Sequence, residues 1–255
     1  MSDDGYFGEQ IAEQYDQSSA EMFDPAVVNP VVDFLAERAH GGRILELGVG
    51  TGRIALPLAA RGLEVDGIEL SRAMVARLKE KPGGAAIDVT IGDFATTRVA
   101  NGDGAFSLAY LVWNTIMNLT TQTSQVDCFR NVAAHLEPGG CFVVEVGLPD
   151  LQRLPPGEKY RPFRVTPTRL GFDEYDIANQ GLVSHHFWIE DGRFEQVSMP
   201  FRYVWPAELD LMAELAGMRP RERWAGWLGE PLTSDSRTLV AVWERPRRRE
   251  METMS

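Results

Sequence analysis

Residues 44–55 read Ile44-Leu-Glu-Leu-Gly48-Val-Gly50-Thr-Gly52-Arg-Ile-Ala55: a short apolar run, glycine at every second position, then a helix former. Glycine inside a regular element costs about 0.5–1 kcal/mol relative to alanine. Gly48, Gly50 and Gly52 must therefore serve the backbone. The run before them reads as a strand, and residues 53–62 as a helix closed by Gly62. At such a junction glycine permits a sharp turn, and its missing side chain lets a ligand approach the main chain. The first amides of the following helix then point at that ligand. In a parallel sheet, ligands bind outside the carboxyl ends of the strands, where the strand order reverses. The junction after Leu47 is a nucleotide-type site by these criteria.

Outward from this junction the chain alternates between strands and helices. Upstream, residues 7–19 and 24–39 read as helices, the second with Asp24 as N-cap and Pro25 in its first turn. Downstream come a strand at 64–70, a helix at 71–81 capped by Ser71, and strands at 86–93 and 105–113. A helix at 124–136 ends at Glu137-Pro-Gly-Gly140, and 141–148 is a fifth strand. Near-continuous apolar strands separated by helices predict an α/β fold, a doubly wound and mostly parallel sheet covered on both faces.

After Pro149 the pattern changes. Residues 148–167, rich in Pro, Arg and Gly, read as a loop, and 181–205 as two strands joined at Asp191-Gly192 in a hairpin. A helix at 206–218, stopped at Gly217, and strands at 219–228 and 236–245 complete a seven-stranded sheet with a late antiparallel β insertion. The expected organisation is an N-terminal helical lid (1–40), a ligand-binding α/β core (41–148), an inserted loop and hairpin capping the substrate (149–205), closing helix and strands (206–245), and a disordered tail (246–255).

Composition narrows the function. A net charge of −12 over 255 residues opposes a nucleic-acid or anionic-membrane role, which needs surplus Lys and Arg. Arg245, Arg247, Arg248 and Arg249 form the one basic run and read as a solvated, frayed terminus. Cys128 and Cys141 lie far apart in apolar surroundings without His or Cys at metal spacing, so buried reduced thiols are expected, and no metal. The acidic N-terminus does not look like a signal peptide, and no apolar run reaches the roughly 20 residues of a membrane span. A cytoplasmic enzyme is the expectation.

The glycine spacing is G-x-G-x-G with Glu46 two residues ahead, not the dinucleotide G-x-G-x-x-G. Glu69 ends the second strand, Asp93-Phe94 ends the third, and His135-Leu-Glu-Pro-Gly-Gly140 precedes the fifth. In these features the chain resembles the class I S-adenosylmethionine-dependent methyltransferases, closely over 40–148 and in outline elsewhere. The resemblance implies S-adenosyl-L-methionine as cofactor, S-adenosyl-L-homocysteine as product, and methyl transfer to a nucleophile. It implies that Glu46, Gly48, Gly50 and Gly52 cradle the cofactor, that Glu69 holds the ribose hydroxyls, and that Asp93 meets the adenine amino group with Phe94 flanking the ring. Leu70, Leu111 and Trp113 complete the implied cofactor contacts.

Asn114, beside Trp113, either binds substrate or cofactor or caps a helix. Tyr15, in Ala12-Glu-Gln-Tyr-Asp-Gln17, either contacts the cofactor as part of a lid or simply packs. His185 and His186 alternate along a strand, so they face opposite ways. Either one is a general base in the cleft, or one is packed and the other solvated. Phe187, Trp188, Phe201, Tyr203 and Trp205 either roof a substrate pocket or pack the hairpin onto the sheet. The layout is similar to sugar N-methyltransferases of bacterial natural-product pathways, so the expected acceptor is an oxygen or nitrogen of a small molecule, and a homodimer is compatible with this. An RNA or protein methyltransferase, or a cofactor-binding partner without turnover, are the alternatives. A nicotinamide oxidoreductase is disfavoured by the glycine spacing.

Overall fold

The structure is a computed structural model and describes residues 5–190 and 192–247. Helices α1 (Glu9–Ser18) and α2 (Pro25–Ala39) come first. As expected, Asp24 caps α2 by accepting from the Ala26 amide at 2.8 Å, with Pro25 in the first turn. The core then runs β1 (Ile44–Leu47), α3 (Ala55–Ala60), β2 (Val65–Glu69), α4 (Arg72–Glu80), β3 (Asp88–Ile91), β4 (Phe106–Leu111), α5 (Gln122–His135) and β5 (Leu136–Gly147). Ser71 caps α4 through the Met74 amide at 3.1 Å. After an insertion the chain closes with α6 (Pro206–Leu215), β10 (Arg219–Trp224) and β11 (Thr238–Glu244).

The sheet order is β10-β11-β5-β4-β1-β2-β3, with β11 antiparallel to both of its neighbours and the other pairings parallel. From β1 the chain winds outward through β2 and β3, then returns to β4 on the other side. The carboxyl ends of β1 and β4 are thus the switch point, where the glycine turn lies. β1 and β4 are buried along their full length, because helices cover both faces. On one face Val32 and Leu35 of α2 and Leu58 of α3 pack on Ile44 and Leu108. On the other, Phe129 packs edge to face on both Phe142 and Trp243, in the cluster that includes Leu45 and Leu47. A buried side chain of this kind contributes about 1.5–3 kcal/mol.

Three expectations are corrected. The segment taken as a loop plus one hairpin is a separate four-stranded antiparallel sheet, β6 (Tyr160–Val165), β7 (Arg169–Asp176), β8 (Gly181–Glu190) and β9 (Arg193–Arg202), in that order. Pro162 reads as a loop residue but sits on edge strand β6, where its missing N–H is tolerated beside a register shift. Gly171 lies on β7, where a Cβ would come within 2.3 Å of the Phe163 ring, so the glycine makes room for an aromatic neighbour. The expected β8–β9 hairpin forms, its register closing at Glu190 opposite Arg193; Asp191 lies outside the described residues.

The second correction concerns Pro138-Gly139-Gly140, which is no separate turn. β5 begins at Leu136 and runs through it, with Gly139 at φ 92°. Third, Arg245 does not fray. The Gly139 amide donates to its carbonyl at 2.7 Å, its own amide donates to Gly140 at 2.9 Å, and its guanidinium reaches the Leu136 carbonyl. Arg248 and Arg249, with the rest of the expected tail over 248–255, lie outside the described residues. Cys128 and Cys141 are buried free thiols. Among the described residues no helix is long and apolar enough to cross a membrane, and no His, Cys, Asp and Glu group has the geometry to hold a metal ion.

Candidate active site

The three glycines all adopt left-handed backbone, φ 69°, 53° and 83° for Gly48, Gly50 and Gly52. They are glycine for different reasons. A Cβ on Gly52 would come within 2.3 Å of Leu78 in α4, so this position serves packing. A Cβ on Gly48 would meet Thr115 at 2.8 Å, which fixes how closely the β1 and β4 turns approach. At Gly50 a Cβ would meet nothing nearer than the Gly48 carbonyl oxygen at 4.0 Å. Gly50 alone of the three opens onto free space.

Two acids stand beside this turn. Glu69, at the end of β2, accepts from the Gly50 amide at 2.8 Å and from the Ser71 amide at 2.9 Å. One carboxylate thereby ties the glycine turn to the start of α4. Glu46, opposite Tyr110 in the β1–β4 register, accepts the Tyr110 hydroxyl at 2.7 Å and is almost wholly buried. Burial pushes its pKa up to about 8, against the pull of the Tyr110 hydrogen bond and of Arg53. At neutral pH Glu46 is therefore protonated, a neutral floor beneath the turn.

β4 ends in a second unusual turn. Trp113 and Asn114 are both left-handed, at φ 54° and 61°, which costs non-glycine residues about 1–3 kcal/mol each and persists only where the surroundings impose it. The Trp113 amide donates to the Glu145 carboxylate at 2.8 Å, and Asn114 Oδ1 accepts from the Gly147 amide. Asn114 stands at the N-terminal end of a short 3₁₀ turn over 115–118 but forms no side-chain cap there. The Trp113 ring lies 6.1 Å from the Tyr15 ring, with the Arg53 guanidinium 5.1 Å from its centroid.

Helix α1 lies across the two turns. Thr51 of the glycine turn donates to Asp16 at 2.6 Å, and Lys81 bridges Asp16 and the Thr51 carbonyl. Ser71 donates to the Phe7 carbonyl, and Gly5 passes over half-exposed Leu70. Burial among Phe7 and Trp113 pushes the Tyr15 hydroxyl up to about 12, so it stays a hydrogen-bond donor.

Phe94 lies close to Gly48 at the end of β3, while Asp93 is exposed beside it and accepts from the Ala95 amide at 2.8 Å. The side chain of Leu111 is wholly buried and belongs to the core. The structure thus brings Tyr15, Glu46, Gly48, Gly50, Glu69, Leu70, Phe94 and Trp113 around one edge of the sheet. His185 and His186 stand apart from them on β8. His186 shares its face with Leu182 and, across the register, Tyr175, both part of the main core. That face is directed at the body of the molecule, and β9 lies against the 115–118 turn. His185 is on the outer face, stacked with Phe172 and Phe187 and bonded to Ser198 at 2.8 Å.

Asp16, Thr51, Arg53, Tyr110 and Glu145 make contacts at these turns and were not singled out by the motifs. Only Glu145 left a trace in the sequence, a carboxylate in the otherwise apolar run Phe142-Val-Val-Glu-Val146.

Similarity to known proteins bears on this site. A methyltransferase-domain family model matches residues 44–140. The structure of the CcbJ methyltransferase from Streptomyces caelestis superposes with a TM-score of 0.84 at 34% identity, over 96% of this chain and 100% of that one. The chain is a class I S-adenosylmethionine-dependent methyltransferase. The cypemycin N-terminal methyltransferase of a Streptomyces species is 29% identical to this methyltransferase over 255 residues, 96% of this chain and all of its own. S-adenosylmethionine-bound CalS10, an amino pentose methyltransferase from Micromonospora echinaspora, shares the fold with a TM-score of 0.67 at 22% identity. Two of these relatives are named for natural products, cypemycin and, for CalS10, calicheamicin biosynthesis.

Proposed function

We propose that this methyltransferase transfers a methyl group to an amine nitrogen of a natural product, either a small amine or the free N-terminus of a peptide. The observation that carries the cofactor's place is the pairing of Gly50 with Glu69. A main-chain position without a side chain opens onto space beside a carboxylate that is anchored by the amides of Gly50 and Ser71. A carboxylate is an acceptor of the kind that ribose hydroxyls require. Asp93 and Phe94 sit where an adenine ring would follow, with Leu70 beside them. Trp113 and Tyr15 wall the far end, and α1 is the lid that its bonds to Thr51, Lys81 and Ser71 hold down. When bound, S-adenosylmethionine supplies an electrophilic methyl on a sulfonium.

The protein's own work is then to orient an acceptor and receive its proton. An amine arrives at neutral pH as an ammonium, and an acidic surface draws it in. Of the two histidines, His186 on the body-facing side of the four-stranded sheet is the base we assign. Burial, with Arg164 and His185 nearby, lowers its pKa, so its ring is neutral and able to accept a proton at pH 7. Ser184, 3.1 Å from its Nε2 and bonded to Asp173, orients the ring. Asn114 keeps an amide N–H₂ for the acceptor while its oxygen holds Gly147. The full-length likeness to an enzyme named for an N-terminus supports nitrogen over oxygen.

The test offers the protein S-adenosylmethionine with an aminosugar glycoside, a peptide with a free α-amine, and a simple phenol. Mass spectrometry should find one added methyl on an amine and none on the phenol. Methylation of the phenol alone would overturn the assignment to nitrogen, and no heat of binding with S-adenosylhomocysteine would overturn the cofactor site.

A further inference from the structure

Glu145 makes three contacts that share one purpose. Its Oε2 accepts the Trp113 amide at 2.8 Å, its main-chain carbonyl accepts the Asn114 amide at 3.3 Å, and its Oε1 accepts the Trp227 indole N–H at 3.0 Å. The amides of two successive left-handed residues thus end on one residue of the neighbouring strand. A carboxylate is suited to this, because both its oxygens accept and neither needs a donor partner; an amide side chain would turn an N–H₂ toward one of the two donors.

Trp227 belongs to the connection between β10 and β11, and its ring packs edge to face on Phe34 of α2 at 5.2 Å. It helps line a groove of about 500 Å³ along α2, with Pro25, Arg38, Trp224 and Leu228. Glu145 therefore joins two walls that are remote in sequence. One carries the Trp113 ring set against Tyr15 and Arg53, and the other is the β10–β11 connection.

We propose that Glu145 is a positioning residue for the cofactor cleft: it holds the β4 turn in its left-handed form, so that Trp113 faces the cofactor, and couples that turn to Trp227. This rests on Trp113 being a wall of the cofactor cleft.

The full chain is compared with Glu145→Ala, Glu145→Gln and Trp227→Phe. Two quantities are measured, the Kd for S-adenosylhomocysteine by calorimetry and hydrogen exchange at the Trp113 and Asn114 amides. Glu145→Ala should weaken binding about tenfold and speed Trp113 exchange at least about tenfold. Trp227→Phe, which keeps an aromatic ring and removes the N–H, should raise Kd and speed Trp113 exchange by about two- to threefold, and no change in either would overturn the coupling to Trp227. Glu145→Gln should fall between them.

Unchanged Trp113 exchange in Glu145→Ala would overturn the positioning role. Lost protection with wild-type affinity would overturn its link to the cleft. If Glu145→Ala does not fold, Glu145→Gln decides, and wild-type values in both measurements would overturn the proposal. Should the wild-type chain bind no S-adenosylhomocysteine, the cofactor site falls, and exchange alone decides whether Glu145 holds the turn.

Discussion

The glycine turn after β1 and the four-stranded sheet of β6 to β9 are built on opposite terms. Around the turn, specificity rests on main-chain groups and buried acids: Gly50 bare, Glu69 held by two amides, Glu46 closed over by Tyr110. In the four-stranded sheet, large side chains stand half in water, among them Tyr160, Leu170, Ile189 and Phe194. Its body-facing side carries polar groups, Asp173, Ser184 and His186, above the 115–118 turn. A site made of backbone admits little change without loss of binding. A site made of strand side chains can be altered residue by residue. The first suits a constant cofactor and the second a variable acceptor.

The sharpest way to break this contrast is Gly50→Val. A β-branched side chain fills the one open position of the turn, at a φ it rarely adopts, so calorimetry with S-adenosylhomocysteine should show no binding. The fold should lose only about 1–2 kcal/mol from the strained backbone. Near-normal affinity would mean that the cofactor lies elsewhere.

Glu46→Gln comes next. The folded chain keeps a proton on Glu46 up to about pH 8, whereas the unfolded chain releases it near 4.5. The stability linked to this group is therefore full below about pH 4.5 and is lost as pH rises through 8. Gln cannot ionise, so urea unfolding at alkaline pH should find the variant more stable than wild type by on the order of 3–5 kcal/mol, with little difference near pH 4. The same gap at both pH values would show that Glu46 is ionised in the fold.

Glu69→Ala should weaken S-adenosylhomocysteine by about 1.5–3 kcal/mol, the usual worth of hydrogen bonds to a charged group. An unchanged dissociation constant removes Glu69 from the site. On the other side of the contrast, His186→Ala should lower kcat for an amine acceptor by roughly ten- to a hundredfold and leave cofactor affinity alone. A fall in affinity instead would place His186 with the cofactor. The smallest effect belongs to Phe194→Ser on the outer face, where S-adenosylhomocysteine affinity should stay within about twofold; a larger loss would show that the two regions are not separate.

The α/β core was legible because its signals are local and strong. Apolar runs of strand length, the Ser71 and Asp24 caps and the glycine turn each declare themselves within a few residues. The four-stranded sheet was half hidden. Strand β6 lies within the stretch rich in Pro, Arg and Gly, and its Pro162, a loop signal, is absorbed at the edge of the sheet beside a register shift. Trp113 and Asn114 were found through resemblance, but nothing in their sequence marks the left-handed backbone, since the groups that impose it lie more than thirty residues away on β5.

Periodicity, capping and glycine spacing act between near neighbours, and from the amino-acid order alone they yield the doubly wound sheet, its switch point and a bare turn beside acids. Folding settled the rest: that Gly52 serves Leu78 while Gly50 opens onto space, that Glu46 is shut away and protonated, that His186 looks inward and His185 outward, and that Asp16 meets the glycine turn and Glu145 the β4 turn. Each of these depends on which strands become neighbours and on what water can reach. Such properties arise from contacts between distant segments, and no window of sequence contains both partners.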